Sequence, residues 1–586
     1  MESARALWSA AQAGDPESIG WVAVGVLALI LTVSTLMQYA WMGGHAAWKG
    51  DAAARPPVYM AGVPYVSNLM RFIRDPLEIV TAAHRQCGEL FTVPIAHKRF
   101  TFCVGPEAHE IFCRGSDEEL DQTEVYSFSV PVFGQEVVYD APLETRYQQF
   151  RWLSQALRAE KLKSYVPLMV MEAEQAFGQL PQSGSIDLFD KLSELIVMTA
   201  SRCLLGREVR EQMFAKVSFL IHELDQGMQP ISVMAPYLPI ASHRKRDAAH
   251  TEFKRIFKQV IDGRRKSANA NTPPEPDMLQ SFLDAVYRDG TRLSDDEICG
   301  LLIAAIFAGQ HTSSITSTWL GMRLLRSPAM LEKVLDEQRR IIAEYGAEIN
   351  FETLSKMDVL HNCMKETLRM YPPLIFLIRL VLKELHFKDF VVPVGDYLFL
   401  SPSVSGKDQT VFSNPEAWDP DRFAPPRSED KKAAFAYVGF GGGRHGCMGE
   451  QFAYLQVKTL WSVMLRNFDM RAVGALPTIQ HDALVVGPSP PCTVQFERRQ
   501  LVGQFHSVLC GFYVRTNENA FQRVPHPMWT LGLSRAQAKM RAQQEKNHNL
   551  NKHLRTAFHD RYPGSRGTLV NKHEYTKFFY NKQASE

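Results

Sequence analysis

Between Phe440 and Gly449 the chain reads Phe-Gly-Gly-Gly-Arg-His-Gly-Cys-Met-Gly, with glycines on both sides of a single cysteine, Cys447. Glycine lets a backbone fold tightly and pass close to a flat ligand. The next run, Glu450 to Leu460, has a helical pattern. A cysteine at the mouth of a helix has its thiolate favoured by free N–H groups and by the positive end of the helix dipole. Arg444, three residues earlier, has the charge to pair with a carboxylate of a bound group. Two readings fit this stretch alone: a glycine-rich turn around an inert buried cysteine, or a thiolate held out on its own loop to a metal.

The 586 residues, 45% of them hydrophobic, are enough for a large core and too many for one small domain. Net charge is +2, which gives no electrostatic reason to expect nucleic acid as a partner. The balance is uneven, because Gln500 to Glu586 holds 13 Lys and Arg against 5 Asp and Glu, a net of +8. Nine scattered cysteines with no C-x-x-C pair argue against a disulfide framework or a zinc site, and for a reducing compartment. Ile19 to Trp41 is 23 residues without a charge. That is enough to cross a bilayer core of about 30 Å as a helix. The preceding segment is acidic, unlike a signal peptide, so an uncleaved anchor is expected. Lys49 and Arg55 after it place the body on the cytosolic side. The expected organisation is a polar segment 1–18, an anchor 19–41, a proline-containing linker 42–58, a catalytic domain 59–499 and a basic extension 500–586.

Leu90–Pro94 and Phe100–Val104 have the composition of short strands. From Arg146 to about Gly206, and through most of the body beyond it, the pattern is helical, with a loop from Arg264 to Asp277. Ser294-Asp-Asp-Glu297 is a capping box that opens the longest apolar helix of the body, reaching to about Pro328. In its middle, Ala308-Gly-Gln-His-Thr-Ser-Ser314 weakens the helix, since glycine and hydroxyl side chains disfavour a helix interior. The segment reads either as a close-packing site with His311 a core histidine, or as a place where the helix opens locally to admit dioxygen and a proton relay. Glu366 and Arg369 stand at i and i+3 on one helix face. Phe412 to Phe423 is a turn-rich meander that includes Pro420-Asp-Arg-Phe423.

Taken in order, an N-terminal anchor, A-G-x-x-T on a long helix, E-x-x-R, P-D-R-F and a cysteine loop of the F-x-x-G-x-R-x-C-x-G kind resemble the cytochrome P-450 haem-thiolate monooxygenases. The resemblance covers about residues 56 to 499. Tyr126 to Asp140, with its pattern Y-x-F-x-x-P-x-F-G-x-x-V-x-Y-D, and the histidine of Ala308-Gly-Gln-His-Thr312 resemble the sterol 14α-demethylases, and the flanking residues the plant-type enzymes acting on obtusifoliol.

The resemblance implies a mainly α fold with small β-sheets and a haem b ligated by Cys447, whose thiolate pushes electron density onto the iron. Arg444, Tyr126, Tyr139, Arg379 and Arg151, with Phe440 and Gly441 of the loop, are the expected haem contacts. Arg151 enters because the neighbouring place held by lysine in the animal enzymes is Phe150 here. Phe128, Phe133, Val137, Ala308, Leu374, Phe376, Ile378 and Val486 are expected to line the sterol cavity, with Phe128 typical of members preferring one C4 methyl. Thr312, His311 and Asp247 are the expected oxygen-handling and proton-relay residues, with Asp247 as the partner of His311. Glu366, Arg369 and Arg422 are expected to form a buried charge network. Where many members carry histidine after Ser405, this chain has Gly406.

The implied reaction is three oxidations that release the 14α-methyl as formate. It uses dioxygen and electrons from NADPH through a separate NADPH–cytochrome P-450 reductase, in the endoplasmic reticulum membrane, with azole-type compounds as inhibitors. Alternatives are a cytochrome P-450 acting on another apolar lipid, a peroxide-using or isomerising haem-thiolate protein, and a non-catalytic haem- or sterol-binding membrane protein. The extension reads as a solvated basic appendage, with contact to anionic lipid or a partner as its alternative.

Overall fold

The computed structural model describes residues 54–62, 66–96, 98–268, 275–481 and 484–499, together with Thr32 and two three-residue strands in the extension. Apart from Thr32, the expected anchor and the first part of the linker lie outside the described residues. The chain divides after Arg499 into two compact units. In the second, Tyr513–Arg515 pairs antiparallel with Phe521–Arg523.

The first unit is built around the helix Asp295–Leu324. Ser294 caps it by accepting from Glu297 N at 3.2 Å, while the Glu297 carboxylate accepts from Ser294 N at 2.8 Å. Thirty residues give a rod of about 45 Å. Among the described residues it is the one helix apolar and long enough to cross a membrane, but 67% of its apolar window is buried within the protein, and it serves as the core.

Two glycines set how closely its neighbours approach. A Cβ at Gly321 would stand 2.4 Å from the Trp461 ring, and one at Gly300 would stand 2.2 Å from the Phe133 carbonyl oxygen. Trp461 belongs to the helix Glu450–Asn467 directly after the cysteine loop, and its Nε1 donates to Ser317 O at 3.2 Å.

The helix does not open at 308–314. Thr312 donates to Ala308 O at 2.7 Å and Ser314 to Gln310 O at 2.6 Å, so the hydroxyls are satisfied along the helix itself and the turn stays continuous. Of the two readings of this segment, the local opening is not what the structure shows, since the rod is unbroken.

A five-stranded sheet runs in the order Leu90–Ile95, Lys98–Cys103, Tyr397–Leu400, Leu377–Val381, Leu120–Asp121. Only the Lys98–Cys103 and Tyr397–Leu400 pair is parallel. A second sheet places Ser183–Asp187 and Phe468–Ala472 on either side of Thr493–Arg498. The first of these strands interrupts the expected helical stretch from Arg146 to Gly206. Its exposed Ser-Gly-Ser start carries no apolar alternation, so only tertiary pairing reveals it. The loop expected from Arg264 begins later, because the helix Ala241–Ala268 continues while Arg264 reaches Asp277 at 2.7 Å and Glu208 at 2.8 Å.

Candidate active site

The cysteine loop folds back on itself: Cys447 N donates to Phe440 O at 2.9 Å, and Gly441 N to Val438 O at 2.9 Å. Gly441 and Gly443 take φ of +71° and +67°, the left-handed region that glycine enters at least cost. Gly443 is also required sterically, since a Cβ there would stand 1.9 Å from Cys113 O. The loop is thus clamped against the end of the helix Pro106–Arg114, and Cys447 is left exposed while the other described cysteines are buried or half-buried. Desolvation by the loop packed around it raises the Cys447 thiol pKa, with the Glu450 charge adding to the rise, while the N–H groups of Gly449 and Glu450 pull the other way. A bound metal cation supplies what these two donors do not, since a coordinating thiol is deprotonated outright.

Beside the sulfur lies a set of cations and phenols. Tyr126 and Tyr139 stack at 4.6 Å. Burial pushes the Tyr139 hydroxyl up to about 12, with Tyr126 adding to the rise and Arg379 and Arg146 opposing it. Cys447 acts on the same hydroxyl, which places the thiol within electrostatic reach of this group. Arg379 is 5% exposed. It is fixed by Ile378 O at 2.7 Å and by the Gln122 amide oxygen at 2.9 and 3.1 Å, and it lies over the Phe112 ring at 4.9 Å. Phenols and a buried guanidinium next to a thiol on a glycine cradle fit a flat, dianionic, metal-centred group such as haem.

Position by position, the arginine place of F-x-x-G-x-R-x-C-x-G falls on His445, with Arg444 one place early. His445, 16% exposed at its side chain, meets Asp117 at 2.7 Å, and burial followed by the charge of Arg379 lowers its pKa. Arg444 is 50% exposed and turned outward to Asp117 at 3.2 Å and Tyr147 at 3.3 Å. The inward position expected of Arg444 thus belongs to His445. Arg151 is exposed on the helix Leu143–Ala156, while Phe150 before it packs into the core.

The residues expected to line a cavity separate into two groups. Phe133 meets Phe307 edge-on at 6.2 Å, and Val137, 2% exposed, lies against Gly300, so this stretch is a wall seated on the central helix. Phe128 is half-buried 6.3 Å from Tyr126. Ala308 is exposed midway along a largely buried helix, and a Cβ at Gly309 would touch nothing within 4 Å, which leaves a flat face there. Leu374 is 42% exposed, and Val486 is buried with its N–H on Pro373 O at 2.8 Å. Phe376 and Ile378, both half-buried, pack against a further cluster. Phe376 stacks on Phe72 at 5.9 Å and meets Phe102 at 5.7 Å, and Ile378 packs into the same aromatic core. Strand alternation is the cause, because Leu377 and Arg379 take the other face of the strand.

His311 Nε2 lies 2.9 Å from Asp225 Oδ1, at the end of the helix Phe214–Gln226. The approach is out of line for a ring N–H hydrogen bond, so the two groups face each other without one. Asp247 does not meet His311. Its carboxylate is 59% exposed and pairs with Arg246 at 2.8 Å, on solvent in the second turn of the helix that starts at Ala241.

Behind the loop, Glu366 accepts from Arg369 at 2.7 and 2.8 Å, from Arg422 at 3.0 Å and from Asp419 N at 2.8 Å, with all three ionic side chains fully buried. Arg422 continues to Glu429 at 2.8 Å. Burial opposes ionisation of Glu429, but bonds from Ser413, Arg422 and Arg427 outweigh it and bring its pKa to about 2. Gly406 O accepts from Arg369 at 2.5 Å, and a Cβ at Gly406 would stand 2.3 Å from Arg369 O. That contact leaves no room for the histidine other members carry. Asp117, Gln122, Asp225 and Glu429 went unread in the sequence. Only His445 had a signal there, its place in the motif.

The cytochrome P450 family model matches residues 56–496. Obtusifoliol 14-alpha demethylase of Triticum aestivum is 46% identical over 76% of this chain and 99% of its own length. Sterol 14-demethylase of Arabidopsis thaliana is 46% identical over 76% and 92%. Lanosterol 14-alpha demethylase of Mus musculus is 35% identical over 81% and 94%. Among solved structures, retinoic-acid-bound cyanobacterial CYP120A1 superposes with a TM-score of 0.67 at 23% identity, over 77% of this chain and 100% of that one. A thiol on a glycine cradle, the buried glutamate–arginine network behind it and these relatives lead to one conclusion: the chain belongs to the cytochrome P450 family, among its sterol 14-demethylases.

Proposed function

We propose that this protein removes the 14α-methyl group of a sterol precursor bearing a single C4 methyl, of the obtusifoliol type. Three successive oxidations release the carbon as formate and leave a 14,15 double bond. The observation that carries the substrate class is Phe128, half-buried on the wall segment beside Tyr126, in a chain 46% identical to a wheat obtusifoliol 14-alpha demethylase.

When bound through Cys447, a haem supplies the oxidising chemistry, with electrons from NADPH through a reductase. The chain's own residues do the rest. Arg379, His445, Tyr126 and Tyr139 would hold its carboxylates. Phe128, Phe133 and Val137 exclude water on one side of the sterol, and Ala308 and Gly309 give it a flat floor. Thr312 holds a proton at Oγ1 and passes it inward. His311 and the facing Asp225 carboxylate belong to the proton relay, and their side chains, 27% and 29% exposed, connect the interior with solvent. Residues 19–41 anchor the protein in the endoplasmic reticulum membrane by a single span, with the body cytosolic. Azoles with a free ring nitrogen are the inhibitor class this site takes.

The test is purification with added reductase, NADPH and candidate sterols. A reduced CO complex absorbing near 450 nm, formate release and a 14-demethylated product from obtusifoliol are expected. Binding without formate overturns the enzymatic reading, and equal turnover of C4-dimethyl sterols overturns the substrate preference.

A further inference from the structure

The wall segment contains two residues in a conformation that side chains avoid. Glu136 has φ of +59° and Val138 of +53°. For valine, branched at Cβ, the left-handed region is a true outlier, and such a conformation persists only where its surroundings impose it. One side chain holds both residues. Gln149, fully buried on the helix Leu143–Ala156, accepts from Val138 N at 2.8 Å through Oε1 and donates to Glu136 O at 2.9 Å through Nε2. Between the two strained residues stands Val137, pressed against Gly300 of the central helix. Gln149 Nε2 also lies 3.5 Å from the Tyr287 hydroxyl, which donates to Glu297, the residue that closes the capping box of that helix.

We propose that Gln149 is a positioning residue for the sterol. By gripping both ends of Glu136-Val137-Val138 it forces the left-handed turn that holds Val137 and Phe133 on the central helix, and so fixes one wall of the site before the sterol arrives. The proposal rests on the reading of this segment as a sterol wall. A rigid polycyclic ligand gains most from a wall whose ordering is already complete. Gln149 acts through the backbone of the segment it grips.

The experiment uses the full-length haem protein with Gln149→Met, close in volume but without either bond, with Val138→Gly, and with the two combined. Glycine enters the left-handed region without strain, so it needs the grip less. In Gln149→Met without sterol, amide exchange across residues 134–140 accelerates at least about tenfold, because the Val138 amide loses its acceptor. The dissociation constant for obtusifoliol, read from the spectral shift, rises about tenfold and KM with it, while kcat stays within about twofold. Val138→Gly in the same protein restores most of the affinity. Unchanged exchange and affinity in Gln149→Met overturn the proposal. So does a combined variant no better than Gln149→Met, which would reduce Gln149 to packing. Gln149→Asn, which keeps the amide but withdraws it by one methylene, gives the same readings if Gln149→Met yields no CO complex near 450 nm. Exchange is measured without ligand, so a wild-type protein that binds no sterol defeats the substrate reading while the exchange result still decides the grip.

Discussion

His311 and Asp225 stand 2.9 Å apart across two helices that the sequence separates by 86 positions. The carboxylate that faces the histidine is thus at the end of one helix, and the one at Asp247 faces solvent. Asp225→Asn is expected to lower turnover at least about tenfold with sterol affinity nearly intact, since a relay acts on proton delivery. Asp247→Asn is expected to stay within about twofold, as for an exposed substitution. Turnover with reductase, alongside spectral titration of both variants, is the check. A larger loss in Asp247→Asn reverses the assignment.

The Glu366 network makes a sharper demand. Removing one member of a fully buried, multiply bonded ion group leaves an uncompensated charge and costs about 3–5 kcal/mol. Glu366→Gln is therefore expected to give protein with little bound haem and a markedly lower Tm, measured by haem content per chain and calorimetry. Haem content equal to wild type in this variant contradicts that role.

Phe128→Leu is expected to shift the turnover ratio of C4-monomethyl to C4-dimethyl sterols about tenfold toward the dimethyl substrate, within the range one pocket contact provides. Competition between the two sterols in one vessel reads the ratio directly, and an unmoved ratio removes Phe128 from selectivity.

Lys458 carries a pH dependence. Burial lowers its pKa from the ordinary 10.5 to about 8, while Glu337 and Asp358 on the neighbouring helices work to raise it. Its Nζ donates to Leu354 O at 2.5 Å. The folded protein releases this proton before the unfolded chain does, so stability is reduced below about pH 8 and recovers as pH rises toward 10.5. Lys458→Met is expected to raise Tm at pH 7 and to lose that advantage by pH 10. Scanning calorimetry at the two pH values tests the sign.

The features legible in the sequence are those a local rule can see. Ser294 and Glu297 announce their helix because a capping box spans only four residues, and Cys447 among its glycines announces a thiolate for the same reason. Glu366 and Arg369 share one helix face. Asp225 and Asp247 look alike in one dimension, because both are acids on polar helix faces and only the packing of those helices onto the central one separates them. Asp117 and Glu429 lie in connections whose paths are set by what they bind. Phe376 and Ile378 pack by strand alternation with Phe72 and Phe102, and the sequence shows the period but not which face turns toward the loop.

Gly300→Ala is expected to be costly for a methyl group. It would place Cβ 2.2 Å from the Phe133 carbonyl oxygen and 2.8 Å from Val137, an overpacking worth about 1–3 kcal/mol. A fall in Tm together with weakened sterol binding, by the same titration, is the expected result. A fall in Tm alone detaches the wall from binding.

Gly300 and Gly321 stand 21 residues apart on one rod, a span of about 31 Å, the first against the Phe133 backbone and the second against the Trp461 ring. Side chains can be exchanged by single mutations, but a backbone-to-backbone spacing cannot. A lineage, or an engineer, can therefore retune which sterol fits by editing residues such as Phe128, whereas the height of the chamber is inherited unchanged. Widening it needs coordinated replacement of a glycine, the wall facing it and the turn that springs the wall, a path with no viable single step.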